Sequence, residues 1–309
     1  MGLGDFFRRL FSVSNDEMFA QDLLPSQGSR DVSSKGKLGV NELARRLGIS
    51  VEQLQAVPIA YSEFTIPKRS GGKRTILAPR DELKSLQRKI LRRLLGRLRC
   101  HSAATGFQRG QSIVTNARPH IGAAVLLKMD IKEFFPSTTA DRLKKYFKYI
   151  GWDKQACKLL LEWTTHKGAL PQGAPTSPRL SNLVNFAMDA RLAGLAKKFN
   201  AAYTRYADDM TFSFATDDRQ SIYGAIASTK KIVGQCGYKL HQKRKLRLAR
   251  KHQRQCVTGL VVNEKLALPR RTRRWLRAVE HRLATGGQAS LSPAQLAGWK
   301  ALQAMIESS

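Results

Sequence analysis

The sequence predicts an α+β fold in which an antiparallel sheet carries helices on one face. Residues 125–131 form a compact apolar run typical of a strand, and residues 203–214 place β-forming residues on both sides of two adjacent acids, as in a hairpin. Helical spacing occupies the segments between and after them, so the order is strand, helices, strand pair, helix, strands. With 309 residues and 42% hydrophobic content, the chain can bury a core in two or three packed subregions.

The composition is strongly basic, because 54 Lys and Arg against 23 Asp and Glu give a net charge of +31. Self-repulsion at that level is tolerated mainly when a polyanion neutralises it, so we expect a nucleic acid partner and salt-dependent binding. An anionic membrane is the competing partner, but no apolar stretch approaches the length of a spanning helix, and we expect no membrane partner. Four scattered cysteines without paired spacing predict free thiols and a cytoplasmic location.

Residues 13–37 are rich in Ser, Asp, Gly and Gln, and residues 1–37 are predicted to be a flexible leader. Residues 41–54 predict two short helices joined at Gly48. A helix-turn-helix DNA reader is one interpretation, although a generic helix pair is favoured because the pattern is short and common. Residues 61–66 alternate like a strand, and the Gly-Gly turn at 71–72 that follows has basic residues around its tip.

A helix is predicted at residues 83–98, where apolar residues recur at helical spacing. Its other face carries basic side chains: Arg88, Lys89, Arg92, Arg93, Arg97 and Arg99. This face is either simply solvated or follows a phosphate backbone, and both interpretations stay open. Further elements are predicted in chain order: helices at 140–150 and 154–164, a proline-rich loop at 170–178, a long helix at 178–199, the hairpin at 203–214, a helix at 221–234, a β-ribbon at 238–248 and a helical tail at 270–307 that breaks near Gly286 and Pro293.

Three acids lie where the predicted strands end. Asp130 follows the apolar strand, and Asp208 and Asp209 occupy the hairpin tip. Adjacent carboxylates repel one another unless water or a cation relieves the repulsion, and on the dipeptide alone a solvated Asp-Asp turn is the favoured interpretation. If the strands are neighbours, the carboxylates converge on one sheet edge, where they could hold two Mg²⁺ ions for phosphoryl displacement on nucleotides. Lys73 and Arg74 could then bind a triphosphate.

Four segments carry a resemblance to reverse transcriptases. Tyr-Ala-Asp-Asp at 206–209 resembles their catalytic box, and Asp-Ile-Lys-Glu-Phe-Phe at 130–135 resembles their first acidic motif. Leu-Pro-Gln-Gly at 170–173 resembles the segment that packs near the incoming nucleotide, and the turn at 71–76 resembles the fingers hairpin that contacts phosphates. The segments occur in family order over about residues 40–283, so jointly they are far more specific than any one of them.

The resemblance implies a right-hand polymerase with fingers, a palm and a short helical thumb. The implied domains are the leader at 1–37, N-terminal helices and fingers at 38–124, a palm at 125–264 with inserted fingers helices at about 140–180, and a helical thumb at 265–309. The implied catalytic residues are Asp130, Asp208 and Asp209, which with Ile131 form the site for two Mg²⁺ ions. The implied nucleotide-binding residues are Lys73, Arg74, Phe135 as a steric gate against ribonucleotides, and Gln172.

Two shorter elements resemble the retron branch of this family. Asn-Ala-x-x-His at 116–120 matches an element of retron reverse transcriptases, although a helix surface with a satisfied histidine is the alternative. Val-Thr-Gly at 257–259 matches a triplet from a region associated with recognition of the cognate RNA, although a strand end and turn would also explain it. Together with arginines of the presumed thumb, they give the implied RNA-binding residues: Asn116, His120, Val257, Thr258, Gly259, Arg270, Arg271 and Arg274.

Other candidates for RNA binding are a second basic run at 243–254 and Trp275, which could stack on a base, although a place in the thumb core is favoured. A retron enzyme would copy part of a structured noncoding RNA into single-stranded DNA (msDNA), primed from an RNA 2′-hydroxyl. The implied partners are the cognate RNA, its DNA product, dNTPs and an accessory effector protein in antiphage defence.

Two alternatives stay open. One is another bacterial reverse transcriptase, either group II intron-like or defence-associated. The other is a mainly RNA-binding or effector-restraining subunit with a relict polymerase fold, against which the intact acids and Gln172 argue.

Overall fold

The computed structural model describes residues 38–68, 71–241 and 246–308. The helices are α1 (Val40–Leu47), α2 (Val51–Gln55), α3 (Asp81–Ile90), α4 (Ile113–Ala117), α5 (Ala140–Tyr149), α6 (Lys154–Thr164), α7 (Ser177–Val184), α8 (Phe186–Lys198), α9 (Arg219–Gln235), α10 (Arg270–Ala284) and α11 (Pro293–Glu307). The strands are β1 (Tyr61–Pro67), β2 (Lys73–Pro79), β3 (Val125–Asp130), β4 (Ala201–Tyr206), β5 (Asp209–Phe214), β6 (Arg247–Arg250), β7 (Cys256–Val257) and β8 (Leu260–Val261). Helices combined with antiparallel sheets confirm the α+β class.

The chain divides into two compact units, each assembled from segments that are distant in the sequence. The described residues of the first unit fall within Met1–His101, Lys132–Arg191 and Ile232–Lys239. The second unit comprises Ser102–Ile131, Leu192–Lys231 and Leu240–Ser309. The domain boundaries expected from the sequence stay a prediction.

The first unit is mostly helical and has its own core. Helices α1, α3, α5, α6 and α7 pack around large buried side chains such as Phe147 and Trp163. Helix α1 ends at Gly48, whose φ of 63° is a left-handed conformation that glycine adopts at little cost. Helix α2 begins at Ser50 with a capping box. The helix pair predicted at 41–54 is thereby confirmed.

The strand and turn predicted at 61–76 are also confirmed. Strands β1 and β2 form an antiparallel hairpin in which Tyr61 lies opposite Pro79 and Pro67 lies opposite Lys73. The Gly-Gly turn therefore ends a two-stranded arm of the first unit.

The second unit is built on a four-stranded antiparallel sheet with the strand order β4-β5-β3-β6. Strand β3 lies between two others, and all but one of its six residues are buried, which explains its continuous apolar run. Val125 lies opposite Phe214 and Asp130 lies opposite Asp209. The predicted hairpin is confirmed as β4 and β5, and its second strand is the neighbour of β3.

The tail of the second unit packs as two helices onto a second core. Side chains of α10 and α11, such as Leu276 and Ile306, join Val257 and Leu260 of the short β7–β8 ribbon in one apolar cluster. The helical tail predicted at 270–307 is confirmed, with its break between α10 and α11.

Two predicted helices are interrupted. The long helix predicted at 178–199 is divided into α7 and α8 at Asn185, whose side-chain Nδ2 donates to the Ser181 carbonyl at 2.8 Å, so a side chain competes locally with the helix. The helix predicted at 83–98 changes to a π-helical turn at Leu91–Leu95.

The β-ribbon predicted at 238–248 is only partly visible in the described residues. Leu240 forms an isolated bridge with Ile131, and β6 begins at Arg247. Residues 242–245, which include part of the second basic run, lie outside the described residues, as does the predicted leader at 1–37.

All four cysteines lie in the described part of the chain, and none of them forms a disulfide bond there. None of the helices in the described ranges combines the length and the apolar character needed to cross a membrane.

Candidate active site

The acids predicted to be catalytic meet at one edge of the four-stranded sheet. Asp130 ends β3 and lies directly opposite Asp209, which begins β5. Directly opposed residues of antiparallel strands project from the same face, so both carboxylates leave the sheet on one side. The amide of Ile131 donates to the carbonyl of Asp208 at 3.0 Å, which holds the hairpin turn beside the end of β3. Asp130 is buried, whereas the Asp209 side chain is 41% exposed.

The turn between β4 and β5 has a left-handed residue at Ala207. Its φ of 58° is uncommon for a residue with a β-carbon, so surrounding contacts must hold it. The fully buried Arg205 donates from Nη1 to the Ala207 carbonyl at 2.9 Å. Gly106 comes so close that a β-carbon there would lie 2.8 Å from the Ala207 nitrogen.

The segment that contains Gly106 is fastened to β4 by backbone hydrogen bonds. The Arg205 amide donates to the Ala103 carbonyl at 2.7 Å, and the Thr105 amide donates to the Arg205 carbonyl at 3.0 Å. A fixed backbone therefore lies against the Asp-Asp turn, and only glycine leaves enough room there.

Each acid of the in-register pair faces a basic side chain. Lys128 Nζ lies 3.5 Å from Asp209 Oδ2, and His241 Nε2 lies 3.5 Å from Asp130 Oδ1. Lys128 precedes Asp130 by two residues on β3 and therefore shares its face of the sheet. Lys128 therefore supplies positive charge at the edge where the carboxylates meet, and His241 adds to it only when its ring is protonated.

The acidic edge offers oxygen ligands that a divalent cation could use. Among the residues that the structure describes, no three His, Cys, Asp or Glu side chains converge into a complete metal site. The chemistry of the donors nevertheless suits Mg²⁺, because carboxylate oxygens are its preferred protein ligands and the Asp130–Asp209 pair presents two carboxylates on one face. A cation there would compete with Lys128 and His241 for the same oxygens.

His120 lies inside the second unit, although the sequence predicted it to bind RNA. Its side chain is fully buried, and its ring nitrogens Nδ1 and Nε2 each lie 2.8 Å from a hydroxyl, Ser213 Oγ and Thr204 Oγ1 respectively. Burial, with a smaller contribution from Lys128, lowers the pKa of His120 to about 3, so the ring is neutral at physiological pH. Ser213 and Thr204 project from the same face of the sheet as Asp209.

Asn116 is buried as well, and its Oδ1 accepts a hydrogen bond from Thr105 Oγ1 at 2.6 Å. The burial of Asn116 and His120 does not support the prediction that they contact RNA, because neither side chain reaches the surface in this structure. The satisfied histidine of the alternative interpretation is present, but it lies in the core and supports the sheet that carries Asp209.

The Val-Thr-Gly triplet forms the turn between β7 and β8. Thr258 and Gly259 both have positive φ, 46° and 89°, as in a tight hairpin turn. Val257 is buried and Gly259 is exposed, while Thr258 Oγ1 donates to the carbonyl of Ile113 in α4 at 2.9 Å. The Val-Thr-Gly turn is therefore hydrogen-bonded to the first residue of the helix that also carries Asn116. An RNA contact at the exposed tip stays a prediction.

The predicted nucleotide-binding residues lie in the first unit. Lys73 and Arg74 are exposed neighbours on β2, so their side chains leave opposite faces of the hairpin. The Leu77 amide of the same strand donates to the Gln172 carbonyl at 2.7 Å. The Pro-Gln-Gly loop therefore docks along β2 and places Gln172 near the basic hairpin.

Gly173 makes this docking possible. It has a φ of 126°, and a β-carbon there would lie 2.8 Å from Ile76 Cγ2 and 2.9 Å from the Leu77 carbonyl oxygen. The glycine of the Leu-Pro-Gln-Gly segment is thus required both by its backbone conformation and by the close approach of β2.

Phe135, the predicted gate, is half-buried and packs against the core of the first unit. Its ring centroid lies 5.5 Å from that of the buried Phe134. The loop that carries it bends through Glu133, which has a φ of 50°, and closes where the Thr138 amide donates to the Phe135 carbonyl at 3.0 Å.

The arginines of α10 are exposed, as an RNA-binding role for Arg270, Arg271 and Arg274 requires. Trp275 beside them is 36% exposed, its Nε1 donates to Ser290 Oγ at 3.1 Å, and its ring meets that of Trp299 edge-on. Trp275 is therefore held at the edge of the helix pair, and base stacking by this side chain stays a prediction.

Sequence reasoning missed four residues that shape the acidic edge: Lys128, His241, Gly106 and Arg205. Lys128 could have been found, because it is the one basic residue in an apolar strand and lies two positions before Asp130. Gly106 and His241 gave no such signal, since their partners come from other parts of the chain. Arg205 holds Ala207, only two residues further on, but the sequence does not show that the arginine is buried.

Comparison with known proteins identifies the family of the chain. Residues 66–262 match the family model described as reverse transcriptase (RNA-dependent DNA polymerase). The chain is 39% identical to the retron Mx162 reverse transcriptase of Myxococcus xanthus over 86% of its own length, and it covers 63% of that relative, less than two thirds.

Two further relatives are covered more fully. Identity is 35% to the retron Mx65 reverse transcriptase of Myxococcus xanthus, with 97% of this chain and 76% of the relative aligned. It is 33% to the retron Ec86 reverse transcriptase of Escherichia coli, with 87% of this chain and 85% of the relative aligned. The chain therefore belongs to the reverse transcriptase (RNA-dependent DNA polymerase) family and, within it, to the retron reverse transcriptases.

Proposed function

We propose that this protein synthesises DNA on an RNA template and that Asp130, Asp208 and Asp209 carry the nucleotidyl transfer. The observation that supports this most directly is the in-register Asp130–Asp209 pair, with Asp208 held beside it by the Ile131 amide. A solvated Asp-Asp turn would not need a third acid from another strand, a strained Ala207 or a glycine packed against it.

The three aspartates, with Ile131 beside Asp130, would hold two Mg²⁺ ions. Bound there, divalent ions activate the attacking sugar hydroxyl and neutralise the leaving pyrophosphate. Lys128 and His241 lie against the same carboxylates and would set how strongly the edge attracts cations. Removing either basic side chain should therefore change the metal requirement of the enzyme without removing a ligand.

Four residues would contact the incoming nucleotide. Lys73 and Arg74 would bind phosphates from the two faces of the hairpin tip, because neighbouring strand residues point to opposite sides. Gln172, on a loop hydrogen-bonded to the same strand, would position the incoming dNTP. Phe135 would exclude a ribonucleotide by contact with its 2′-hydroxyl.

The template would be a cognate structured noncoding RNA, and the product single-stranded msDNA joined to an RNA 2′-hydroxyl. The relatives named as retron reverse transcriptases and the net charge of +31 support this proposal. The exposed arginines of α10 and the Gly259 tip would contact the RNA. An accessory effector and a role in antiphage defence in the cytoplasm belong to the same proposal.

Replacing the acidic pair tests the catalytic assignment. The Asp208→Ala/Asp209→Ala double variant should fold and bind RNA but incorporate no dNTP. A matched control is Asp217→Ala/Asp218→Ala, which removes an adjacent acidic pair from an exposed loop and should keep synthesis. Retained incorporation in the first variant would refute the assignment.

Sequencing the nucleic acid that copurifies with the unaltered protein tests the retron assignment. We expect one RNA species covalently joined to DNA whose sequence is complementary to part of that RNA, with a 2′ branch point. DNA that carries no RNA branch would contradict the proposed priming.

A further inference from the structure

A chain of buried polar side chains in the first unit ends at the peptide that precedes Phe135. Thr138 and Asn185 are fully buried, and Tyr238 is 3% exposed. Hydroxyl and amide groups are costly to bury unless they are hydrogen-bonded, so a connected set of them defines one specific arrangement.

The hydrogen bonds of this chain run in one direction. Thr138 Oγ1 donates its single proton to the Phe134 carbonyl at 2.8 Å, so the Tyr238 hydroxyl, 2.8 Å from Thr138 Oγ1, is the donor to it. Asn185 Nδ2 donates to Tyr238 Oη at 2.9 Å, and Arg142 Nη2 donates to Asn185 Oδ1 at 2.7 Å. Each hydroxyl thus gives one hydrogen bond and receives one.

Tyr238 also supports the aromatic layer beneath Phe135. Its ring is stacked with that of Phe134 at a centroid separation of 5.8 Å and an interplanar angle of 27°. The Arg142 guanidinium carbon lies 4.3 Å from the centroid of the Tyr238 ring, which is cation–π distance. Tyr238 therefore contacts the ring of Phe134 directly, and it is linked to the Phe134 carbonyl through the hydroxyl of Thr138.

Phe135 follows Phe134 in the chain, and Thr138 holds both of them. The Thr138 amide donates to the Phe135 carbonyl at 3.0 Å, while its hydroxyl holds the Phe134 carbonyl. The loop enters this turn through the left-handed Glu133, a conformation that needs such support. The break between α7 and α8 falls at Asn185, so the helix is interrupted at the residue that hydrogen-bonds Tyr238.

We infer that Tyr238 is a positioning residue that sets the selection of deoxyribonucleotides by fixing Phe135. The inference rests on the proposed role of Phe135 as the sugar gate. A gate discriminates by close contact, so a small displacement of its ring alters the penalty against a ribose more than it alters the acceptance of a deoxyribose.

The test removes the Tyr238 hydroxyl and keeps its ring. Steady-state incorporation of one dNTP and the matching rNTP on a primed RNA template gives the ratio of their kcat/KM values. We expect Tyr238→Phe to lower the dNTP preference about three- to tenfold, with kcat for the dNTP within about twofold of the parent enzyme. Tyr146→Phe, at another buried tyrosine of the first unit, is the control and should leave the preference unchanged.

A double-variant cycle separates this inference from the gate itself. Phe135→Ala should lower the preference further than Tyr238→Phe, and adding Tyr238→Phe to it should change nothing more, because the hydroxyl acts through the missing ring. An unchanged preference in Tyr238→Phe beside a reduced one in Phe135→Ala would refute the role of Tyr238 and leave the gate standing. Additive effects of the two substitutions would refute it too. An unaltered preference in Phe135→Ala would refute the gate, and the role of Tyr238 with it.

Thr138→Val provides a second route into the same network. It removes the hydroxyl that links Tyr238 to the Phe134 carbonyl and should reproduce the reduced preference. A Thr138→Val enzyme with the parental preference would overturn the inference independently of how well Tyr238→Phe folds.

Discussion

Gly106 lies against the nitrogen of Ala207, so that a β-carbon on Gly106 would be 2.8 Å from it. The atoms on both sides of this contact belong to the backbone, so no flexible side chain can move aside to make room. The position of the Asp208–Asp209 turn is thus coupled to a segment about 100 residues earlier in the chain.

Gly106→Ala should therefore impair catalysis more than stability. We expect kcat for dNTP incorporation to fall about 100-fold, because a shift of the turn by a fraction of an ångström misplaces the carboxylates. Gly234→Ala, in α9 where a β-carbon meets no atom within 4 Å, is the control and should keep parental activity. A Gly106→Ala enzyme of normal activity would show that the turn tolerates displacement.

Lys128 should set the magnesium requirement. Its Nζ lies 3.5 Å from Asp209 Oδ2, so it reduces the negative charge that attracts a cation to the edge. Lys128→Met should lower the Mg²⁺ concentration for half-maximal synthesis about two- to fivefold, measured by titration at fixed ionic strength. Lys251→Met, an exposed change of equal charge in the same unit, controls for net charge and should leave the midpoint unmoved.

The exposed arginines of α10 should dominate the salt dependence of RNA binding. Replacing Arg270, Arg271 and Arg274 by Ala should reduce the slope of log K against log salt by about 2, since each lost phosphate contact removes about 0.7 to 0.9. The same measurement on Arg88→Ala/Arg92→Ala/Arg97→Ala decides between the two interpretations of the basic face predicted at 83–98. An unchanged slope there would mean a solvated face, and an unchanged slope in the α10 variant would contradict its role in binding RNA.

The acidic edge could be predicted from the sequence because its signals are local. The apolar strand that ends in Asp130 and the hairpin that turns at Asp208 are each predicted correctly from their own segment of sequence. Only the assumption that the two are neighbours in the sheet goes beyond local sequence. The structure supplies that adjacency as the β3–β5 pairing. The hairpin at 61–79 was predictable for the same reason, since its strands and turn lie within twenty residues.

The support around the edge could not be predicted, because its partners are remote. His120 finds its two hydroxyls 93 and 84 residues away, and a motif match that suggested RNA binding carries no information about burial. Asn185 has helix-compatible neighbours on both sides, so nothing local indicates that its side chain bonds Tyr238, 53 residues further on. Burial and long-range pairing decide the roles of both residues.

His120 gives the stability of the protein a defined pH dependence. Burial lowers its pKa to about 3, from an ordinary value near 6.5 in the unfolded chain. The unfolded state therefore takes up a proton first as the pH falls, and stability present above pH 6.5 is lost progressively down to about pH 3. At pH 5 this one group lowers the free energy of unfolding by about 2 kcal/mol.

Denaturant unfolding at pH 7 and at pH 5 measures this decrease. We expect it in the parent protein and not in His120→Gln, with His252→Gln as the exposed control. Equal decrements in the parent and in His120→Gln would mean that His120 is not held neutral between the hydroxyls of Ser213 and Thr204.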